Sequence, residues 1–265
     1  MKGTYALMQK EEIKFIDSNV FEGLTSIRAI IKGIDSGINK RKIEKIIYDK
    51  SKAKKIAKEL GYIRAVSEKY GYTVEESTEE ELRKITLGNS HGGLVALCSD
   101  REIPYLDSDV SLPSSGFYVM IEGIEDPYNF GYSLRSLYAM GCSGVILTER
   151  NWMSAAGVVA RSSAGASEMF EIFKANPLDA VKIFKEHGYT VVCAHEKTDN
   201  VLGRCETECP VLLIVGGEKR GISKALLDEA DLLVKIDYAR EFHASLSAAS
   251  ATTMFAYEIM RQNKK

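Results

Sequence analysis

No window of the 265-residue sequence approaches the roughly 18 consecutive apolar residues of a membrane-spanning helix, and no such span is expected. Its opening, MKGTYALMQKEEIKF, has neither a long apolar run nor a small-residue cleavage site, so a signal peptide is not expected and a cytoplasmic location is. Cysteine is scarce and odd in number, five in all, which fits a reducing compartment better than a disulfide framework. Cys205 and Cys209 are four apart with no second pair nearby, so no metal site is expected. No GxGxxG follows an early strand, and no glycine-rich turn carries a P-loop lysine, which argues against a doubly wound nucleotide-dependent reductase. A large excess of one charge is lacking too: the net charge of −2 excludes a wholesale nucleic-acid coat. Internal repeats and low-complexity tracts are absent.

What is present is a 45% hydrophobic composition, enough to fill real cores, and a length that suits one large domain or two small ones. Charge is unevenly spread. Residues 1–100 carry 18 Lys and Arg against 15 Asp and Glu, and the remainder 17 against 22. Between Lys40 and Lys58 lie nine basic residues and only Glu44 and Asp49. That run is either a solvated helix face or a phosphate-facing patch that includes Lys40, Arg41, Lys42, Lys54 and Lys55.

The first hundred residues alternate in pattern. SIRAIIKGIDSG reads as a helix ending at glycine, IEKIIYD as a strand and SKAKKIAKELG as a basic helix closed by Gly61. GYTVEES and GGLVALCSD read as strands with the helix TEEELRKIT between them. The stretch DREIPYLDSDVSLPSSG, with two prolines and no periodic apolar face, reads as a linker over 101–115. The pattern then restarts: strand FYVMIEG, a helix over 129–140, strand GVILTE, a helix near SAAGVVARSSAG, helix PLDAVKIFKEHG and strand TVVCAHE. Strand PVLLIVGG, helix SKALLDEAD, strand LLVKID and a closing helix over 245–261 complete it. Strands alternating with helices imply an α/β fold with a parallel sheet covered on both faces.

Three junctions, each just after an apolar strand, carry the chemistry. The first is IEGIEDPYNFGYSLRS, with Asp126, Pro127, Asn129 and Gly131 in its turn and Arg135 one helical turn beyond the glycine. In LLIVGGEKRGIS, the second, Gly216 and Gly217 permit close backbone approach and Gly221 precedes the next helix. The third, KIDYAREFHASLSAASATTMFAYE, runs from a strand into a helix opened by Ser245 and Ser247. Ligands of parallel sheets sit outside the carboxyl ends of strands, so the three ends are expected to share a pocket. Taken singly each is weak, and GGEKRG by itself is equally a capped tight turn.

Together the three resemble the SpoU, or TrmH-like, family of RNA ribose 2′-O-methyltransferases of the SPOUT class. DPYNFGYSLRS is similar to the family's first motif at Asn129, Gly131 and Arg135, and IVGGEKRGIS to its second at Gly216, Glu218 and Gly221. HASLSAASATTMFAYE is similar to the third at Ser245 and Leu246, and RSSAGA, residues 161–166, resembles the segment between motifs. The likeness covers about residues 116–262. FEGLTSIRAIIKG and LGNSHGGLVALCSD are similar to the small L7Ae-like substrate-binding domain that precedes many such enzymes. One departure stands out: the family usually has asparagine where this chain has Ser247, which keeps a donor and an acceptor but is shorter by an amide.

The resemblance implies residues 1–100 as an RNA-binding domain and 116–265 as a SPOUT domain with a deep trefoil knot, working as a homodimer in the cytoplasm. Leu134, Leu137, Phe255 and Ile259 would be apolar positions of the dimer contact. S-adenosylmethionine would sit against the backbone around Gly216, Gly217, Gly221, Ile236, Ser245, Leu246 and Ser247, with no metal. The leading domain favours ribosomal RNA, because the shorter tRNA enzymes of the family usually lack it. Arg135 is the implied central residue. Guanidinium stays charged, so a protonated Arg135 clamping the adjacent phosphate and stabilising the developing alkoxide is preferred to an arginine base. Asn129 would bond the turn, Arg135 or substrate, or else cap the helix. Glu218 would orient Asn129, Arg135 or the neighbouring subunit, or complement a helix dipole. Ser245 or Ser247 would cap the last helix. Tyr128 and Trp152 are candidates to stack on a base, while His91 and His243 are left outside catalysis. Ser247 also leaves open a non-catalytic knotted RNA-binding or ribosome-assembly protein.

Overall fold

A computed structural model describes residues 19–87, 91–148, 155–217 and 219–264. Trp152 and Glu218 lie outside the described residues. The first unit consists of strand β1 (Val20–Glu22), helix α1 (Gly23–Asp35), β2 (Ile43–Asp49), α2 (Ala57–Tyr70), β3 (Thr73–Ser77), α3 (Glu79–Ile85) and β4 (Leu94–Cys98). Its four-stranded sheet has the order β1-β4-β2-β3, with β2 and β3 parallel and the other pairs antiparallel. Local chemistry accounts for several boundaries. Thr78 accepts a hydrogen bond from the Glu81 amide while the Glu81 carboxylate accepts one from the Thr78 amide, a reciprocal cap that starts α3.

One expectation is corrected here. Gly61 does not close the basic helix: α2 begins only at Ala57, runs through Gly61 and stops at Gly71, whose φ of 71° is left-handed. A glycine inside a helix costs only about 1 kcal/mol, which packing of Leu60 and Ile63 in the core overcomes. β1, three residues long, is too short to show a period and is held by its pairing with β4.

The second unit contains β5 (Phe117–Glu122), α4 (Pro127–Ala139), β6 (Gly144–Leu147), α5 (Ala156–Ser162), β7 (Glu171–Lys174), α6 (Pro177–Glu186) and β8 (Thr190–Ala194). β9 (Val211–Gly216), α7 (Lys224–Asp228), β10 (Leu232–Val234) and α8 (Ala248–Asn263) follow. The six strands form one parallel sheet in the order β10-β8-β9-β5-β6-β7. Strand periodicity builds both layers. From β5, Val119 and Ile121 face a core with Phe130 and Leu134 of α4 and Phe255 and Ile259 of α8. Tyr118 and Met120 face the opposite core, with Phe184 of α6 and Leu226 of α7. β7, a four-residue edge strand, was not foreseen from the sequence.

Residues 101–115 contain no helix or regular strand, yet the segment is fastened. Leu106 donates to the Lys174 carbonyl and Lys174 to the Pro104 carbonyl, both at 2.8 Å. The buried Arg101 guanidinium donates to the carbonyls of Ser167 and Phe170 at 2.6 Å. Beside it the two units are joined by a buried ion pair, Arg41 Nε to Glu168 Oε2 at 3.1 Å, and Asn39 Nδ2 donates to the same oxygen at 2.6 Å.

Candidate functional site

The carboxyl ends of β8, β9 and β10, neighbours at one side of the parallel sheet, open into a single cavity of about 770 Å³. Its floor is apolar and buried: Val215, Val234, Ala248 and Phe255. Exposed Arg220, Asp237, Arg240, Phe242 and His243 form the rim. Six of the residues expected to hold a cofactor, Gly216, Gly217, Gly221, Ile236, Ser245 and Leu246, all line this cavity. An apolar floor with backbone amides and carbonyls at its edges suits a flat, neutral heterocycle, and the charged rim suits a polar tail.

Ser247, the seventh, is not in the lining. It is the N-cap of α8: its hydroxyl oxygen accepts from the Ser250 amide at 3.2 Å and it donates to Ser250 Oγ at 3.0 Å. Ser245 is therefore not the cap, which settles the choice between the two serines.

The turn after β9 is pressed onto the turn after β5. Gly217 donates to the Glu122 carbonyl, and a Cβ at Gly217 would overlap the Gly123 carbonyl, so only glycine permits this backbone-to-backbone contact. The Glu122 carboxylate accepts from the Ser223 amide at 2.7 Å, and Lys219 bonds Glu125 at 2.5 Å. The first motif thus abuts the cavity through its turn without lining it.

Asp126, not Asn129, caps α4, accepting from the Tyr128 amide at 2.9 Å ahead of Pro127 at the first helical position. Asn129 is the third residue of the helix and half-buried, and its carbonyl accepts from Ser133 Oγ at 2.9 Å. Gly131 lies inside the helix rather than in the turn. A Cβ there would collide with Ser162, so Gly131 lets α5 pack directly against α4. Arg135 points outward from α4; it is exposed and makes no hydrogen bond or ion pair among the described residues.

The expected basic patch does not hold together. The Arg41 side chain is 0% exposed, paired with Glu168, donating to the Ser99 carbonyl at 2.5 Å and lying 4.7 Å from the Phe21 ring centroid. It cannot reach a ligand in solution. Lys40 and Lys42 precede β2, whereas Lys54 and Lys55 follow its far end, about 20 Å of extended strand away. Between these groups, Lys45 is paired with Glu75 and Lys52 with Asp49 and Glu79. The four apolar positions expected at a dimer contact are also relocated: Leu134, Leu137, Phe255 and Ile259 are buried within the protomer. Helical periodicity identifies the side that is covered but does not tell whether its own sheet or a second copy covers it. Exposed on the same two helices are Tyr128, Tyr132, Met254 and Tyr257.

Sequence reading missed the end of β8, where His195 and Glu196 enter the cavity, and also Lys235 and Tyr238. The available signal was position, since β8 ends beside β9 and β10. Tyr238 Oη accepts from the Leu246 amide at 3.2 Å, closing the loop between β10 and α8 over the cavity. His243 is on the rim, 3.5 Å from Glu241. His91 is buried in the first unit, where its Nδ1 accepts from the Gly93 amide at 3.1 Å, and burial, then the charge of Lys52, holds its pKa below 6.5. All five cysteines are free, and burial pushes the Cys98 and Cys193 thiols up to about 12. Among the described residues no group of three His, Cys, Asp or Glu could hold a metal, and no helix is long and apolar enough to cross a membrane.

Residues 116–257 match the profile of the SpoU rRNA Methylase family. The chain is 28% identical over 236 residues to a Staphylococcus haemolyticus protein assigned to the TrmH family of tRNA/rRNA methyltransferases, covering 86% of each. A Bacillus subtilis protein assigned to the same family is 25% identical over 74% of this chain and 80% of its own length. Among solved structures, an AdoMet-bound rRNA methyltransferase from Sinorhizobium meliloti superposes with a TM-score of 0.75 at 26% identity, covering 92% of this chain and 88% of that one. A SpoU methyltransferase from Streptomyces viridochromogenes shares the fold, with a TM-score of 0.71 at 21% identity over 92% of this chain and 88% of its own.

Proposed function

The chain belongs to the SpoU rRNA Methylase family, and from that premise we propose that it methylates a ribose 2′-hydroxyl of ribosomal RNA. At the coarser level it is an RNA methyltransferase that uses S-adenosylmethionine. The observation that carries this reading is the cavity. Residues from two separate motifs and a third strand end meet around one space at the carboxyl edge of the sheet, inside the stretch that matches the family. The likeness to an rRNA methyltransferase spans the first unit as well as the second and supports an rRNA substrate. In this reading residues 1–100 bind RNA, 101–115 link, and 116–265 form the knotted catalytic domain of a cytoplasmic homodimer. The two copies would meet through Tyr128, Tyr132, Met254 and Tyr257.

When bound, the cofactor supplies an electrophilic methyl group on a sulfonium. Gly216, Ile236 and Leu246 would hold it through backbone groups and apolar contact, with Gly217 and Gly221 shaping the turn. A 2′-hydroxyl is a poor nucleophile until its proton is leaving. Arg135, permanently charged and uncommitted among the described residues, would clamp the adjacent phosphate bidentately and stabilise the developing alkoxide. Phosphate or water takes the proton. Asn129 and Glu218 would position Arg135 or substrate.

Calorimetric titration of S-adenosylmethionine, followed by transfer of labelled methyl to ribosomal RNA and mapping of 2′-O-methyl positions, tests the reading. Binding and ribose labelling are expected. Cofactor binding with label on a base would refute the ribose assignment, and RNA binding without label would favour a scaffold.

A further inference from the structure

We propose that a row of cationic and aromatic side chains on α1, α2 and α4 is the path by which single-stranded RNA is led to Arg135; this rests on the methyltransferase reading above. The buried side of α1 is Ser26, Ile27, Ala29, Ile30, Ile31 and Gly33, which leaves Arg28 and Lys32 facing out, one turn or about 6 Å apart along the axis. The Arg28 guanidinium lies 5.3 Å from the ring centroid of Tyr62 on α2. Lys32 Nζ lies 3.5 Å from the hydroxyl of Tyr138 on α4 and 5.9 Å from its ring centroid. The Tyr138 ring is fixed edge-on against Phe170, with centroids 5.4 Å apart at 84°. Tyr138 is three residues beyond Arg135 and shares its exposed side of α4. The row therefore reads Tyr62, Arg28, Lys32, Tyr138, Arg135, passing from the first unit onto the helix of the first motif.

Charge supports the assignment. Lys45, Lys52 and Lys69 each have a carboxylate partner, whereas Arg28, Lys32 and Arg135 have none among the described residues. The nearest acid on α1, Asp35, is already occupied: Lys69 Nζ lies 2.6 Å and Tyr70 Oη 2.7 Å from it, and these bonds hold its pKa below the usual carboxylate range. Exposed cations beside tyrosine faces match a chain of alternating phosphates and bases. Flat rings with hydroxyls, rather than aliphatic side chains, favour bases over a lipid surface. The buried Arg41–Glu168 pair joins the two units, so the halves of the row keep their relative position.

The test uses the full-length protein and a labelled single-stranded RNA oligomer of mixed sequence, about 16 nucleotides long. Its affinity is measured across a salt series, with S-adenosylmethionine affinity read in parallel. Arg28→Ala with Lys32→Ala should weaken RNA binding at least about ten-fold. It should also lower the slope of log affinity against log salt by about 1.4, two phosphate contacts at about 0.7 each. Tyr62→Ala should cost about ten-fold with little change in slope, and Tyr62→Phe should restore binding. Lys182→Ala with Lys224→Ala, the same charge loss on the other sheet face, should change affinity no more than a few-fold. A variant that has lost its fold reveals itself by losing cofactor affinity. Unchanged affinity and slope in the α1 variant, equal losses in the control pair, or no RNA binding by the unaltered protein would each overturn the path. If the unaltered protein binds RNA along this row but does not bind S-adenosylmethionine, the path stands and the methyltransferase reading fails.

Discussion

Arg135 and His91 show how differently two polar side chains are used. Arg135 is exposed with its donors uncommitted among the described residues, and the proposed phosphate clamp needs its planar fork, which a substitution removes. Arg135→Lys should reduce single-turnover methyl transfer by about 10²- to 10³-fold while S-adenosylmethionine affinity stays within a few-fold. Near-normal turnover in that variant would move the chemistry to other residues of the motifs. His91 is buried neutral, with Nδ1 as an acceptor. Because its folded pKa is depressed below 6.5, the unfolded chain binds the proton more readily. Its contribution is intact above about pH 6.5 and is lost as pH falls through the folded pKa. The unfolding temperature of the unaltered protein should therefore drop more steeply between about pH 7 and pH 5 than that of His91→Asn, which keeps an acceptor but does not titrate. Equal pH slopes would show that His91 is not buried neutral.

At the scale of elements, caps and close approaches decide how the motifs are presented. Ser247→Ala removes the α8 cap and should cost about 1 kcal/mol in chemical denaturation, whereas Ser247→Asn should leave stability within a few tenths, since asparagine caps as well as serine. If Ser247→Asn also leaves methyl transfer unchanged, the departure from the family residue is functionally silent, in keeping with a side chain outside the cavity lining. Gly217→Ala is a different test. Its methyl would meet the Gly123 carbonyl, which is backbone and cannot swing away. S-adenosylmethionine affinity should fall at least about ten-fold, because the turn that lines the cavity must shift. Calorimetry that shows unaltered affinity would mean that the two turns are not in contact.

The whole molecule depends on a junction that neither unit forms alone. Arg41→Ala would leave Glu168 charged and buried without its partner, at a cost of about 3–5 kcal/mol, and replacing Glu168 by Leu in the same chain should recover much of it. Denaturant titration of the single and double variants measures both. For the proposed dimer, Tyr132→Glu with Tyr257→Glu places charge on the exposed sides of α4 and α8 without touching the core. Sedimentation should then show a monomer where the unaltered protein is a dimer. A monomer in both would refute the dimer.

The sequence by itself determined most of the regular structure and the strand ends that open into the cavity. Strand IEKIIYD is β2 to the residue, because a short run of isoleucine and tyrosine, side chains that favour a pleated half-buried surface, marks a strand without its partner being seen. The glycines at 216, 217 and 221 and Ser245 were expected at a shared pocket because a parallel sheet places ligands at strand carboxyl ends, Ile236 and Leu246 through the resemblance to the SpoU family, and all six line one cavity. Only the tertiary structure decided what depended on contacts distant in sequence. Arg41 looked like a member of a basic surface, yet a carboxylate 127 residues away takes its charge into the interior. Leu134 and Phe255 looked like dimer residues, yet their own sheet covers them. Arg28, Lys32 and Tyr138 drew no notice along the chain, since an i, i+4 pair on one helix and a tyrosine 106 residues beyond its second member become a row only when the two units dock. Local patterning records which side chains are covered or turned outward, and folding alone determines what lies opposite them.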